Sequence, residues 1–381
     1  MIMHGDLPPV GHKISLHSSL ENSLVEFLGG HQYWVDSGTS ALALAVLDAK
    51  TYFPQVQNPR VIIPGYCCPD LVAACIYAGV EPMAVDICTD DPSYDLEQLR
   101  AQLDEDVVAV IAVNFLGIAE RLTELRQLIR SSGFSVRLIE DNAQWFPMQK
   151  EDVTVDSDYT IFSFGRGKPL SLLGGGLLLS RKALAETTKT KIGKPVVPSL
   201  LLPFKVKAYN FLLTPKLFLL LNRNPFFHLG ETRYVALEKI NAMDSFRISL
   251  VSENFSRYLA RTSLLAAYYD DVLVGNNLQQ FGVRAALRRK QLLRYPLLCA
   301  SAEQRDNLLA QLRKLGLGAT AMYPAAIDQI DGVNGLVSVP KVIGNAEQFA
   351  QKFMTLPVHS GVTKVHRDKI LALLKKNGIP E

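Results

Sequence analysis

Lys168 stands alone between two glycine clusters in Phe-Ser-Phe-Gly-Arg-Gly-Lys-Pro-Leu-Ser-Leu-Leu-Gly-Gly-Gly, residues 162–176. A lysine in such a setting can cradle a phosphate, form a covalent bond through its amine, or cap a surface loop. The phosphate-loop reading fails on spacing. That motif needs a glycine six residues before the lysine and a hydroxyl after it; this chain has Phe162 and Pro169. Proline also removes an amide and opposes a helix continuing from the loop. A dinucleotide fingerprint fails too, because GRGKPL lacks the third glycine and no acidic residue lies about 20 residues on in the right context.

Other residues supply complementary chemistry. Asp141 closes the run Val-Arg-Leu-Ile-Glu-Asp and precedes Asn142, Ala143 and Gln144. At the carboxyl end of a buried parallel strand its carboxylate would point into a ligand crevice, although a lone aspartate there equally serves as a cap or turn residue. Ser37-Gly38-Thr39-Ser40 sits where a helix begins, offering amides, hydroxyls and a positive dipole to an anion. Plain capping explains it equally well when taken alone. Ser163 adds a hydroxyl near the lysine. Together these parts meet one need, that of a pyridoxal phosphate enzyme. Such an enzyme requires an amine for the internal aldimine, an anion cradle for the phosphate, and a carboxylate that keeps the pyridine nitrogen protonated.

Four stretches carry a resemblance to a known family: VDSGTSALALAVL (35–47), VIIPGYCCPDLVAACIYAGVEPMAVDI (61–87), LIEDNAQ (138–144) and SFGRGKPLSLLGGGLLLS (163–180). LRKLGLGATAMYP and MTLPVHSGVT extend it toward the C-terminus. The chain resembles the DegT/DnrJ/EryC1/StrS family, sugar aminotransferases of pyridoxal phosphate fold type I. The resemblance implies that Lys168 carries the Schiff base and that Asp141 pairs with the pyridine nitrogen. It implies that Gln144 contacts the ring hydroxyl side and that Thr39, Ser40 and Ser163 hold the phosphate. A lysine rather than the histidine of dehydratase relatives favours transamination, with the released amine as the proton-transfer base.

Three departures bear on the substrate. Cys68 stands where the family places a ring-stacking aromatic, with Tyr66 two residues away as the alternative cover. Asn114 replaces a histidine after the fourth strand. Tyr323-Pro324-Ala325-Ala326-Ile327-Asp328 lacks the family's histidine, and Asn114, Tyr323 and Asp328 are expected to face the substrate. Arg233, Asn241 and Arg247 align loosely with cross-dimer contacts of the family, and a packing role is expected for each. The resemblance implies a homodimer that moves an amino group from an amino acid, glutamate being the usual donor, to a keto-sugar or sugar-like acceptor. Polysaccharide or secondary-metabolite synthesis is the expected setting. Another pyridoxal phosphate reaction on the same fold, such as decarboxylation or elimination, stays open, as does a non-catalytic relative.

The elements that must position these residues alternate. Between residues 20 and 180, strand-like runs (RVIIPGY, EPMAVDI, DVVAVIAVNF, FSVRLIEDNA, DYTIFSF, GGGLLLS) interleave with helical ones (GTSALALAVLDAKTYF, PDLVAACIYAG, SYDLEQLRAQL, AERLTELRQLIRSSG). Such alternation predicts a doubly wound, parallel or mixed α/β sheet with ligands at the strand carboxyl ends. A long helical pattern follows over 234–273. Then come strands LLRYPLLCA and GATAMYP and a helix capped by Ser301, the mark of a smaller α+β domain. The expected division is a large domain over 1–240, with an apolar excursion at 198–230, and a small domain over 241–381.

Bulk properties exclude several classes. The 381 residues carry a net charge of +3, with no basic stripe interleaved with aromatics, so no nucleic-acid partner is expected. Five scattered cysteines give neither a disulfide framework nor zinc spacing, so no metal is expected and the setting reads as cytoplasmic. The N-terminus lacks the pattern of a signal peptide. Lysines and a proline interrupt the excursion, which therefore reads as a cleft-covering helical segment, with membrane-surface contact the lesser alternative.

Overall fold

The computed structural model describes residues 6–18, 23–153, 156–196, 201–222, 232–273, 288 and 290–377. A seven-stranded sheet organises them. In chain order its strands are β1 (His31–Val35), β2 (Arg60–Pro64), β3 (Glu81–Val85), β4 (Val107–Val113), β5 (Arg137–Asn142), β6 (Tyr159–Ser163) and β7 (Gly176–Ser180), arranged β1-β7-β6-β5-β4-β2-β3. The block β3-β2-β4-β5-β6 is parallel. β7 runs antiparallel to both β6 and β1, so the sheet is mixed. No crossover helix separates β6 from β7, and an antiparallel pair needs none.

Helices cover both faces. After the short α1 (Ser23–Leu28) comes α2 (Gly38–Thr51), which is buried nearly all round, as its alanine-rich sequence requires. With α3 (Asp70–Ala78), closed by Gly79 at φ +64°, it packs on the face carrying Ile63, Ile111, Ile139 and Ile161. α4 (Leu96–Ala101) and α5 (Leu122–Ser132) cover the other face at Ile62, Val110 and Leu138. Beyond a short α6 (Glu186–Lys189), the apolar excursion folds into α7 (Leu202–Leu212) and α8 (Pro215–Asn222). Residues 198–200 and 223–230 of that stretch lie outside the described residues.

The helical pattern over 234–273 is divided. Residues 234–239 carry no helix and lead into a two-residue strand, β9 (Ile240–Asn241), paired with β8 (Ile192–Gly193). α9 (Ser245–Leu259) starts only where the Asp244 carboxylate accepts the Arg247 amide, and a break at 261–263 separates it from α10 (Leu264–Leu273). The C-terminal region pairs β10 (Tyr295–Leu298) with β11 (Phe353–Leu356) beneath α11 (Ala302–Lys314), α12 (Gly344–Lys352) and α13 (Lys364–Lys376). Ser301 caps α11 as expected. GATAMYP forms only one bridge, Thr320 to Thr355, because positive φ at Gly318 and Met322 turns the chain away. Leu308, Phe349 and Phe353 join the same apolar cluster as α2 and α3, so this region is seated directly against the sheet domain.

Candidate active site

A cleft opens at the carboxyl ends of the parallel strands. Strand register builds its floor: Val113 of β4 pairs with Asp141 of β5, and Asp141 with Ile161 of β6, and all three line the cleft. Side chains alternate faces along a strand. Glu140 accordingly points the other way, where Asn114, Ser157 and Thr160 donate to it. Gly38 and Thr39 at the start of α2, Cys68 and Asp70 at the start of α3, Ala143, Gln144, Ser163, Lys168 and Tyr323 complete the walls.

The lysine reaches this place through a loop held at many points. The Phe164 carbonyl accepts the Leu172 and Gly174 amides, and the Gly175 amide donates to Asp36. Gly167 sits at φ +69°, where a side chain would be strained, and Gly176 runs so close to Ser37 that a Cβ would lie 2.1 Å from its carbonyl oxygen. Arg247 donates to the Leu172 and Leu173 carbonyls, and Arg261 to that of Pro169. Arg247 lies in the first turn of α9 and Arg261 just beyond its last, so that helix braces the loop from behind. Tyr209 of α7 lies against Gly167 and Ser171. The described part of the excursion therefore buttresses the loop, and none of its residues lines the cleft.

Asp141 is buried, and one of its oxygens accepts the Ala143 amide. Burial raises its carboxyl from 3.8 to about 6, a rise that this amide and the Lys168 charge oppose. Ser163 approaches Gly38 so closely that a Cβ on the glycine would lie 2.6 Å from the serine Cβ. The tight approach sets a hydroxyl beside the first amides of α2. Gln144 accepts the Leu116 amide and donates to the Tyr323 hydroxyl at 2.7 Å, tying the C-terminal region to the cleft.

Three expected residues, Ser40, Asn114 and Asp328, are not brought to the cleft wall. The Ser40 hydroxyl accepts from Ser37 and donates to Asp36, whose other oxygen accepts from Asn241. Helical geometry turns it inward at that position. Asn114 lies one residue beyond Val113, so parity sends it to the opposite face, where it bonds Glu140, Asn142 and the Glu120 amide. Of Cys68 and Tyr66, Cys68 is the one that lines the cleft. Burial keeps its thiol protonated, whereas Tyr66 is buried among Phe115, Tyr323, Phe349 and Phe353 and bonds the Tyr323 backbone. Asp328, on a short 3-10 turn, is also absent from the cleft wall, while Arg233 is exposed. Asp70 was missed by sequence reasoning. Its place two residues after Cys68, opening a helix, was the available signal.

The model of the DegT/DnrJ/EryC1/StrS aminotransferase family matches residues 13–192 and 249–375. Protein MosB of Rhizobium meliloti is 30% identical over 176 residues, covering 45% of this chain and 33% of that protein. A UDP-4-amino-4,6-dideoxy-N-acetyl-beta-L-altrosamine transaminase of Campylobacter jejuni is 28% identical over 169 residues, 43% of each chain. The chain thus spans between about a third and two fifths of the length of the curated relatives it matches. Among solved structures, Helicobacter pylori PseC, an aminotransferase of pseudoaminic acid biosynthesis, superposes with a TM-score of 0.67 at 18% identity, covering 93% of this chain and 89% of its own. NtdA of Bacillus subtilis, solved with bound cofactor PMP, gives 0.66 at 17% identity, covering 93% and 75%. These likenesses establish the shared fold, the large mostly parallel sheet with its helical layers.

Proposed function

This chain belongs to the DegT/DnrJ/EryC1/StrS aminotransferase family, and from that premise we propose that it is a pyridoxal phosphate-dependent aminotransferase. It moves an amino group from an amino acid, with glutamate the expected donor, to a keto-sugar or sugar-like acceptor in polysaccharide or secondary-metabolite synthesis. One observation carries the reading: Lys168, Asp141, Ser163 and the Gly38–Thr39 turn, distant in sequence, line one cleft.

The residues present fit the cofactor. Gly38 and Ser163 come too close to admit a Cβ, leaving an amide-and-hydroxyl cradle at a helix start suited to a phosphate. Among the described residues, only one oxygen of Asp141 has a protein hydrogen bond, which leaves the other for a ring nitrogen. Bound pyridoxal phosphate supplies an aldehyde that takes up amino groups and a ring that accepts electrons from the substrate carbon.

The chain's own groups do the remaining work. Lys168 would hold the cofactor through its Nζ, and the same nitrogen, when free, would move a proton off and onto the substrate carbon. Asp141 would keep a proton on the pyridine nitrogen, and the gained cation would in turn favour its ionised form. Thr39 and Ser163 would donate to the phosphate. Gln144, oriented by Leu116 and Tyr323, would meet the ring hydroxyl, and Cys68 would offer the ring a polarizable sulfur. Tyr323 closes the substrate side. A homodimer working in the cytoplasm completes the proposal; among the described residues no helix is long and apolar enough to cross a membrane.

The test is spectroscopic. Protein loaded with pyridoxal phosphate should absorb in the visible, and borohydride should fix the cofactor on the peptide containing Lys168. Glutamate should bleach the colour. A protein that stays colourless with added cofactor, or a Lys168→Ala variant that still turns over amino donor, would overturn the proposal.

A further inference from the structure

Two cavities of about 440 and 510 Å³ have no lining residue in common with the Lys168 cleft. They share a wall made of His12, Arg261, His359 and Ser360. Arg367 lines the first, while Lys13 and Arg257 line the second. Three arginines, a lysine and two histidines thus line the two adjoining cavities, and among the described residues neither cavity is lined by a carboxylate.

Among the described residues these cations, Lys13, Arg257, Arg261 and Arg367, have no carboxylate partner within ion-pair distance. Arg261 gives one hydrogen bond to the Pro169 carbonyl and lies over the Tyr258 ring, and Arg367 lies over the Tyr268 ring. Burial is the main cost to the charged forms here, and neighbouring cations add to it. Burial, then the charge of Arg261, pulls His12 down to about 3, and burial with the nearby Arg257 pulls Arg261 down to about 10. A fold stabilised only by its own contacts gains nothing from crowding arginines away from carboxylates; an anion removes the cost.

We propose that this paired cavity binds a phosphate or pyrophosphate group of a small-molecule ligand. Arg261 and Arg367 contact it from the wall, and Arg257 and Lys13 approach from the exposed rim. A guanidinium presents paired N–H donors that match phosphate oxygens. Ser263 and Ser360 add hydroxyls, and His12, neutral at physiological pH, adds a donor. The volume accommodates a ligand larger than phosphate alone. Arg261 also links this site to the lysine loop through Pro169.

Isothermal titration of inorganic pyrophosphate into the cofactor-loaded protein, at fixed ionic strength, tests the site without turnover. The expected result is one pyrophosphate per chain, with affinity at least tenfold weaker in Arg367→Gln and in Ser360→Glu. The Ser360 change places a carboxylate on an exposed part of the shared wall, so it keeps the test decisive should the arginine variant fold poorly. Sulfate and chloride should compete weakly. No binding, binding unchanged in both variants, or equal competition by chloride overturns the proposal. If the protein does not take up pyridoxal phosphate, the functional proposal fails, while the same titration on the unloaded protein still decides this site.

Discussion

Replacing Asp141 by asparagine should make the cofactor-free protein more stable at neutral pH while disabling it. The carboxyl is buried, and folding raises it from 3.8 to about 6. Above pH 6 the folded protein therefore carries a charge that burial disfavours; below pH 4 the group is protonated in both states and the penalty vanishes. The sign follows: stability linked to this group is fully present below 3.8 and is lost as pH rises through 6. At roughly 1.4 kcal/mol per tenfold change, the full loss is about 3 kcal/mol. Asparagine keeps an acceptor for the Ala143 amide and carries no charge. Urea unfolding of the unloaded proteins at pH 7.5 should place Asp141→Asn about 2–3 kcal/mol above the parent, with the gap narrowing toward pH 5. In cofactor-loaded protein the same variant should lose about two orders of magnitude in kcat, because no charged partner remains for the ring nitrogen. A variant less stable than the parent at pH 7.5, or a gap that does not change with pH, would refute the reasoning.

Other positions give separate tests. Gly38→Ala drives a Cβ to 2.6 Å from the Ser163 Cβ; the overpacking should cost about 1–3 kcal/mol in urea unfolding and weaken pyridoxal phosphate binding measured by visible absorbance. Tyr66→Phe removes buried bonds to the Tyr323 backbone and should cost about 1–2 kcal/mol; the cofactor spectrum should stay unchanged, whereas Cys68→Ala should shift it. Arg247→Gln frees the Leu172 and Leu173 carbonyls and should lower kcat more than it raises KM, because the loop carrying Lys168 loosens. Gly176→Ala, with a Cβ 2.1 Å from a backbone oxygen, should fail to yield soluble folded protein, as judged by circular dichroism.

Much of the sheet was legible because its signals are local. Strands of five to seven apolar residues alternate with helices closed by Gly79 and Gly133, and both glycines are left-handed in the fold. The chemistry was legible because a lone lysine among glycines, a strand-end aspartate and a hydroxyl-rich helix start follow each other in a recognisable order. Elements fixed by partners far away were not legible. β1, half-exposed and partly polar, is a strand because β7 pairs with it. The single helix expected over 234–273 breaks where side-chain capping and packing decide the ends.

The sequence by itself determined which chemical groups this protein owns and the order in which a doubly wound chain delivers them. Only the tertiary structure decided which of them meet. Strand parity sent Asp141 into the cleft and Asn114 behind it, although both stand at strand ends. Helix rotation admitted Thr39 and turned Ser40 to Asp36. The aromatic cluster of the C-terminal region took Tyr66 and left the cleft wall to Cys68. Residue type and spacing act along the chain, but a site is assembled across it. Its membership therefore depends on register and packing between segments that carry no mark of one another.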